Sequence, residues 1–140
     1  MEADQDYILC ECSLDHLRQF VEETLAHYPV QLTKAPAICL TMVRAEDSVE
    51  KQEFYLGEAL TTECEVEVNG QVGYGICLGD EPERAYCMAV IEAVMAAQDA
   101  TLPLIKGFLA REREAVQQRE KLEFNQIMRT KVDFKLMEQA

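Results

Sequence analysis

The dipeptide Asn69-Gly70 lies between two segments of alternating apolar and polar residues, and this arrangement most limits what the chain can fold into. Acidic and apolar side chains alternate before it, over residues 63–68, and apolar side chains recur at every second position after it. Asn-Gly between two such segments is typical of a β-hairpin, because both residues readily adopt positive φ. The sequence therefore predicts antiparallel strands over 54–68 and 71–78.

The apolar pattern also suggests how these two strands pair. A two-residue loop would set the apolar side chains of one strand opposite the glutamate side of the other. A three-residue loop would pair Val66 with Val72 and Cys64 with Tyr74, which aligns both apolar sets and leaves Gly70 at the left-handed position of a β-bulge. We therefore expect the bulged turn.

The other face of the second strand carries two glycines. Gly73 and Gly75 alternate with the larger apolar residues, so this face is almost bare of side chains. A strand glycine often marks a place where another backbone approaches closely. We therefore include Gly73 and Gly75 among the candidate partner-binding residues.

The remaining elements follow from apolar spacing and from capping residues. Ser13 is suited to cap a helix that Pro29 ends, and Pro82 suits the first turn of a later helix. Together these signals predict an α+β domain with an N-terminal helix, an antiparallel meander of about four strands, and two C-terminal helices. The predicted elements are a helix near 14–27, strands at 29–33, 38–45, 54–68 and 71–78, and helices near 80–98 and 103–129.

No repeat or flexible linker divides the chain, so we expect one domain over residues 1–129 and an extended tail over 130–140. Ordering the tail costs roughly 1–2 kcal/mol per residue in backbone entropy. Burying each of its apolar side chains contributes at most about 1.5–3 kcal/mol. The tail is therefore expected either to fray or to dock on a partner.

The charge distribution excludes several classes of partner. The chain has 26 acidic and 13 basic residues, a formal net charge of −13, and the excess of acids lies within residues 1–99. Such a surface repels phosphate backbones and anionic lipids, so we expect no nucleic-acid or membrane binding. The N-terminal residues are acidic where a targeting signal would be basic, which favours a cytoplasmic location.

The sequence contains no recognisable cofactor or metal motif. Gly73, Gly75 and Gly79 suggest a dinucleotide fingerprint, but the first two lie inside a strand, and Asp80 would place negative charge where a pyrophosphate must bind. Cys12 and His16 could share a helix face, but zinc normally requires four ligands. We therefore expect no bound cofactor or metal and assign no catalytic residue.

Two motifs are shared with a known family. One is LGD-x-PERA at residues 78–85, and the other is KVDF at residues 131–134. With Gly57-Glu58 and Gly73-Tyr74, they make residues 54–138 resemble PhnG, the small G subunit of the bacterial carbon-phosphorus lyase core complex.

The resemblance implies that the chain assembles with the H, I and J subunits. Members of that family act with the H, I and L proteins to transfer the ribose triphosphate of ATP onto an alkylphosphonate, with release of adenine. ATP is then a substrate of the complex, and this chain is not expected to be active alone. The alternative is a stand-alone acidic interaction or assembly module with no share in chemistry.

The family resemblance includes the tail, and the tail gains too little free energy to stay ordered on its own domain. Together these two points indicate a docking segment. Its candidate partner-binding residues are Lys131, Val132, Asp133 and Phe134. Phe134 is the expected aromatic anchor in a partner's pocket, with Asp133 or Lys131 paired at the rim.

Overall fold

The computed structural model describes the backbone of residues 3–139 and the side chains of residues 4–131. Within that part of the chain, four helices accompany one three-stranded antiparallel sheet of order β1-β2-β3, so the predicted α+β class is confirmed. The elements, in chain order, are α1 (Ala3–Glu11), α2 (Leu14–Thr24), β1 (Val30–Glu46), β2 (Glu53–Val68), β3 (Gln71–Leu78), α3 (Pro82–Ala97) and α4 (Leu102–Gln139). Ser13 caps α2, as its position predicts.

The expected four strands are three, because the segments predicted at 29–33 and 38–45 are one continuous strand, β1. Pro36 does not interrupt it. The pairing of β1 with β2 shifts register between Leu32 and Lys34 and again between Lys34 and Ala37, so the proline lies in an irregular stretch. An edge strand tolerates a proline at such a position because no ladder hydrogen bond has to be lost there.

The turn between β2 and β3 is the two-residue loop, and the bulged turn expected from the sequence is wrong. Val68 pairs with Gln71, Val66 with Gly73 and Cys64 with Gly75. Both loop residues have positive φ, +50° at Asn69 and +83° at Gly70, as a type I′ turn requires. The buried side chains of β2 therefore lie opposite the glycines of β3.

Helix α3 explains this register, because its backbone packs directly against the glycines. A Cβ atom at Gly73 would lie 2.0 Å from the carbonyl oxygen of Ala89, and one at Gly75 would lie 2.1 Å from that of Ala85. The alanine ridge of α3 thus faces the glycine face of β3, and both glycines are buried. The close approach predicted at Gly73 and Gly75 exists, but this chain's own helix makes it.

The turn that carries the LGD-x-PERA motif fixes the start of α3. Gly79 has φ +83°, a left-handed conformation, and Thr62 Oγ1 donates a hydrogen bond to its carbonyl oxygen. The same hydroxyl accepts a hydrogen bond from the Glu81 backbone N–H at 3.0 Å. This motif therefore connects β2, β3 and α3.

Arg84 in that motif links α3 to the N-terminal helices. Its side chain is 9% exposed, and one guanidinium nitrogen donates to the carbonyl oxygens of Leu9 at 2.9 Å and Cys12 at 2.8 Å. Its Nε also pairs with Glu81 at 3.2 Å. The buried charge is thus hydrogen-bonded, as a charge in a protein interior must be.

Helix α4 begins in the core and then leaves it. Ile105, Phe108, Leu109 and Val116 are buried, and the Phe108 ring stacks on Phe20 of α2 with centroids 4.4 Å apart. Side chains of α1 then contact α4 through Asp4 with Arg113, Glu11 with Arg119 and Tyr7 with Glu120.

Helix α4 continues to Gln139, so the predicted helix end near residue 129 is wrong. The extended conformation predicted for the tail is wrong for residues 130–139, which are helical. The helix continues because residues 130–139 contain no glycine or proline and include several strong helix formers. Ala140 lies outside the described residues. Among the helices of residues 3–139, none is both long and apolar enough to cross a membrane.

Gly75→Ala should destabilise the fold, because its Cβ would meet α3 backbone atoms that cannot move without displacing the helix. We expect the free energy of unfolding, measured by urea denaturation, to fall by about 1–3 kcal/mol. Gly107→Ala is the matched control: its Cβ has only the end of Arg111 within 4 Å, at 3.6 Å, so helix propensity should raise stability by about 1 kcal/mol. Equal stability of Gly75→Ala and wild type would contradict the close packing.

Candidate partner-binding surfaces

The described side chains do not form a metal cluster. Over residues 4–131, no three His, Cys, Asp or Glu side chains lie close enough together to hold an ion. Cys12 and His16, whose four-residue spacing could have placed two zinc ligands on one helix face, have other partners. Cys12 lies against Arg84, and His16 Nδ1 lies 3.0 Å from Glu112 Oε1. The first contact joins the loop between α1 and α2 to α3, and the second joins α2 to α4.

The sequence-predicted partner residues fall into two groups. Gly73 and Gly75 are covered by α3, so a partner's backbone cannot reach them, and their assignment to a partner is corrected. Lys131 is exposed on α4. The side chains of Val132, Asp133 and Phe134 lie outside the described residues, so docking through this segment stays a prediction.

The end of α4 exposes apolar side chains. From Lys121 to Lys131 every residue is exposed, including Phe124 at 60% and Ile127 at 64%. These two residues and Met128 share one side of the helix, because residues three and four positions apart are neighbours on a helix surface. Leu122 projects from the opposite side.

A second exposed apolar region is the β-arm, defined here as residues 40–60. Strand β3 pairs with β2 only from Thr61 to Val68, so the rest of β2 pairs with β1 alone. The two-stranded ribbon extends about 26 Å past the third strand, from the usual rise per residue. Its large exposed apolar residues are Leu40, Met42, Val43, Val49, Phe54, Tyr55, Leu56 and Leu60.

Such an arm is expected to need support. A lone two-stranded hairpin is at best marginally stable in water, and extended exposed apolar surface marks interaction sites. The apolar pattern of the sequence did not predict this arm. The sequence does contain a signal for it: the predicted strand before the Asn-Gly turn is much longer than the eight-residue β3 after it, so part of the longer strand has no partner in β3.

A polar cluster lies on the outer face of the sheet, defined here as the face opposite α3. Glu63 is its centre: Lys34 Nζ donates to one carboxylate oxygen at 2.9 Å, and Cys39 Sγ donates to the other at 3.0 Å. Thr61 Oγ1 lies 3.1 Å from the same sulfur and 2.8 Å from Thr41 Oγ1.

These contacts set the protonation of the cluster. Hydrogen bonds from Cys39, Lys34 and Tyr74 lower the pKa of Glu63 to about 2. Burial, together with the hydrogen bond to Glu63, raises the pKa of Tyr74 to about 12. Glu63 is thus a carboxylate already occupied by donors, which suits a structural role better than that of a general base.

The comparisons with known proteins point in one direction. The family model described as "Phosphonate metabolism protein PhnG" matches residues 5–139, which is nearly the whole chain. No curated protein matches the sequence. The LGD-x-PERA turn and the glycine face of β3 lie within the matched range, and both have the structural roles described above.

Glu63→Gln should change how stability depends on pH. The folded-state pKa of Glu63 is about 2, below the usual 4.5, so its hydrogen bonds stabilise the fold above pH 4.5 and are lost as the pH falls toward 2. The variant should melt below wild type at pH 7, and the difference in Tm should shrink between pH 4.5 and 2.

Glu50→Gln, at an exposed position between β1 and β2, is the matched control and should leave the pH profile of Tm unchanged. A Tm difference between Glu63→Gln and wild type that stays constant down to pH 2 would refute the assigned role of the carboxylate.

Proposed function

The chain belongs to the PhnG family of phosphonate metabolism proteins, and on that basis we propose that it is an assembly subunit of a phosphonate-activating complex. The proposed reaction transfers the ribose triphosphate of ATP onto an alkylphosphonate and releases adenine. The proposed partners are the H, I and J subunits of the carbon-phosphorus lyase core complex, with the L protein needed for activity. Family membership gives the chain its role in phosphonate metabolism.

The observation that carries the assembly role is the contrast between a filled core and uncovered apolar surfaces. The helices and β2 share one cluster of buried side chains, and over residues 4–131 no buried side-chain polar atom lacks a hydrogen-bond partner. The β-arm and the end of α4 nevertheless expose large apolar residues, such as Leu40 at 63% and Ile127 at 64%. Surfaces of this kind are stabilised by a partner.

A non-catalytic role for this chain agrees with the chemistry of its side chains. The most perturbed carboxylate, Glu63, is held by three donors, and the thiols of Cys12, Cys77 and Cys87 have pKa values raised by burial to about 11. Thiols with raised pKa values are poor nucleophiles near neutral pH. The formal charge of −13 also supports binding of ATP and phosphonate by other subunits.

The proposal extends to the end of α4 as a docking segment. Phe134 follows Ile127 by seven residues in the same helix, so the two backbone positions lie nearly in line along the helix axis. Lys131 lies between them and is exposed. A partner groove that binds the apolar side of this helix would account for its exposed apolar residues, in the manner of helix-in-groove recognition.

Adenine release tests the proposed function directly. A mixture of the H, I and L proteins with ATP and methylphosphonate should release adenine only when this chain is added. Because the chain is proposed to assemble rather than catalyse, the chain alone should release none. Adenine release by the chain alone would contradict the subunit role. Undiminished release without it would favour the alternative of a stand-alone acidic module.

Ile127→Ser and Phe134→Ala test the docking segment. Ile127 is 64% exposed, so its replacement should leave the melting temperature of the lone chain unchanged while co-purification with the I-type subunit weakens. We expect the same of Phe134→Ala. Leu122→Ser is the matched control, because Leu122 is equally exposed on the other side of α4.

The comparison of these variants decides the role of the helix end. Co-purification of Ile127→Ser and Phe134→Ala at the wild-type level would exclude docking through this side of α4. A large loss of melting temperature in either variant would mean instead that the segment packs on its own domain.

A further inference from the structure

The outer face of the sheet exposes apolar side chains from β3. Val72 is 54% exposed, Tyr74 38% and Leu78 70%, whereas the opposite face of the same strand is buried under α3. The strand therefore directs its larger apolar side chains away from the core. A solvated sheet face normally alternates to polar residues, so this apolar row is unexpected for a surface that stays in water.

An acidic row on β2 runs beside the apolar row. In the strand register, Glu67 lies opposite Val72, Glu65 opposite Tyr74 and Glu63 opposite Ile76. Cross-strand neighbours stabilise a sheet when they are both apolar or oppositely charged. Tyr74 donates a hydrogen bond to Glu63, whereas Glu65 and Glu67 lie opposite Tyr74 and Val72 with no opposite charge across the strand pair.

Two of the three carboxylates also lack basic partners. Glu63 pairs with Lys34, but among the described side chains no Lys, Arg or His nitrogen lies within 4.0 Å of a Glu65 or Glu67 carboxylate oxygen. Lys34 lies opposite Glu65 in the register of β1 and β2, but its ammonium group pairs with Glu63 instead. The outer face is therefore both apolar and negatively charged.

We propose that the outer face docks an amphipathic helix of a partner subunit whose apolar stripe is flanked by Lys or Arg. The apolar stripe would cover Val72, Tyr74 and Leu78, and the flanking cations would pair with Glu65 and Glu67. This inference rests on the proposed function, because the partner comes from the same complex. It assigns a surface distinct from the end of α4.

The dimensions favour a helix as the occupant. A helix with its side chains is about 10 Å across, and neighbouring strands are about 4.8 Å apart, so one helix covers two strands. An apolar row on one strand and an acidic row on the next therefore match an apolar stripe with cations along one flank. A second sheet would need a broad, regular face across all three strands. The register shifts of β1 between Leu32 and Ala37 make the face irregular there.

Charge argues against a second copy of this chain as the occupant. Each copy has a formal charge of −13, so two copies repel each other. The segment 121–131 of α4 has three basic residues and one acidic residue and exposes apolar side chains, so it is the part of a second copy that could compete. Binding of that segment would overturn the proposal.

Photo-crosslinking in the assembled complex identifies the occupant. Tyr74 is replaced by p-benzoylphenylalanine in the full chain co-expressed with the H, I and J subunits, and Glu23 on α2 is replaced in the same way as a control. We expect position 74 to crosslink to a helical, Lys- or Arg-bearing segment of H, I or J, and position 23 to give no such product. Crosslinks from position 74 to a second copy, or none in a purified complex, would overturn the proposal.

A peptide test on the lone chain is independent of assembly. The probe is a synthetic 18-residue helical peptide, so about five helical turns long, with a leucine stripe flanked by lysines, and binding is followed by fluorescence anisotropy. Glu65→Lys with Glu67→Lys should weaken binding by about tenfold or more. Glu22→Lys with Glu23→Lys is the matched control, because it changes the net charge equally at exposed positions of α2.

Comparing the two double variants distinguishes binding at the outer face from general electrostatic attraction between the acidic chain and the basic peptide. Equal weakening by both pairs would mean that the peptide senses only the net charge, and the proposal would be wrong. Circular dichroism should show that each variant keeps the wild-type helix content. If the wild-type chain does not assemble with H, I and J at all, the proposed function fails, and the peptide result alone decides the inference.

Discussion

The contact between the glycines of β3 and the backbone of α3 is the constraint on which the rest of this structure depends. Gly73 and Gly75 leave no room for a Cβ beneath Ala85 and Ala89, so the helix lies directly on the strand. That approach fixes which face of β3 is inside, and therefore the two-residue turn at Asn69-Gly70. It also turns the larger apolar side chains of β3 outward.

A fold built in this way has its apolar surface in unusual places. Small residues fill the contact between β3 and α3, while large apolar residues remain exposed on the outer face, on the β-arm and on the end of α4. The polar side chains of Glu63, Arg84 and Thr62, in contrast, all have hydrogen-bond partners within the chain. This combination of a satisfied framework and uncovered apolar surfaces supports a subunit role within the PhnG family.

Local signals in the sequence predicted which segments form helices and strands better than they predicted which side of each strand faces the core. The α+β class, the hairpin at Asn69-Gly70 and the helix capped by Ser13 were predicted correctly, because turn and capping chemistry is local. The predicted register is wrong because the larger apolar side chains of β3 face away from the core. The tail is helical and not extended as far as Gln139, because each residue added to an existing helix forms a further backbone hydrogen bond. Of the candidate site, the sequence identified Gly73 and Gly75 as places of close approach but could not show that α3 fills them.

Hydrogen–deuterium exchange of the chain, alone and in the assembled complex, tests most directly whether the framework is complete by itself while the exposed surfaces await partners. The account predicts slow exchange of α3 and of residues 61–78 in the lone chain, with little change in α3 on assembly. It predicts that the β-arm and α4 beyond Lys121 exchange quickly when the chain is alone and become protected in the complex. Slow exchange of both regions in the lone chain, or no added protection on assembly, would contradict it.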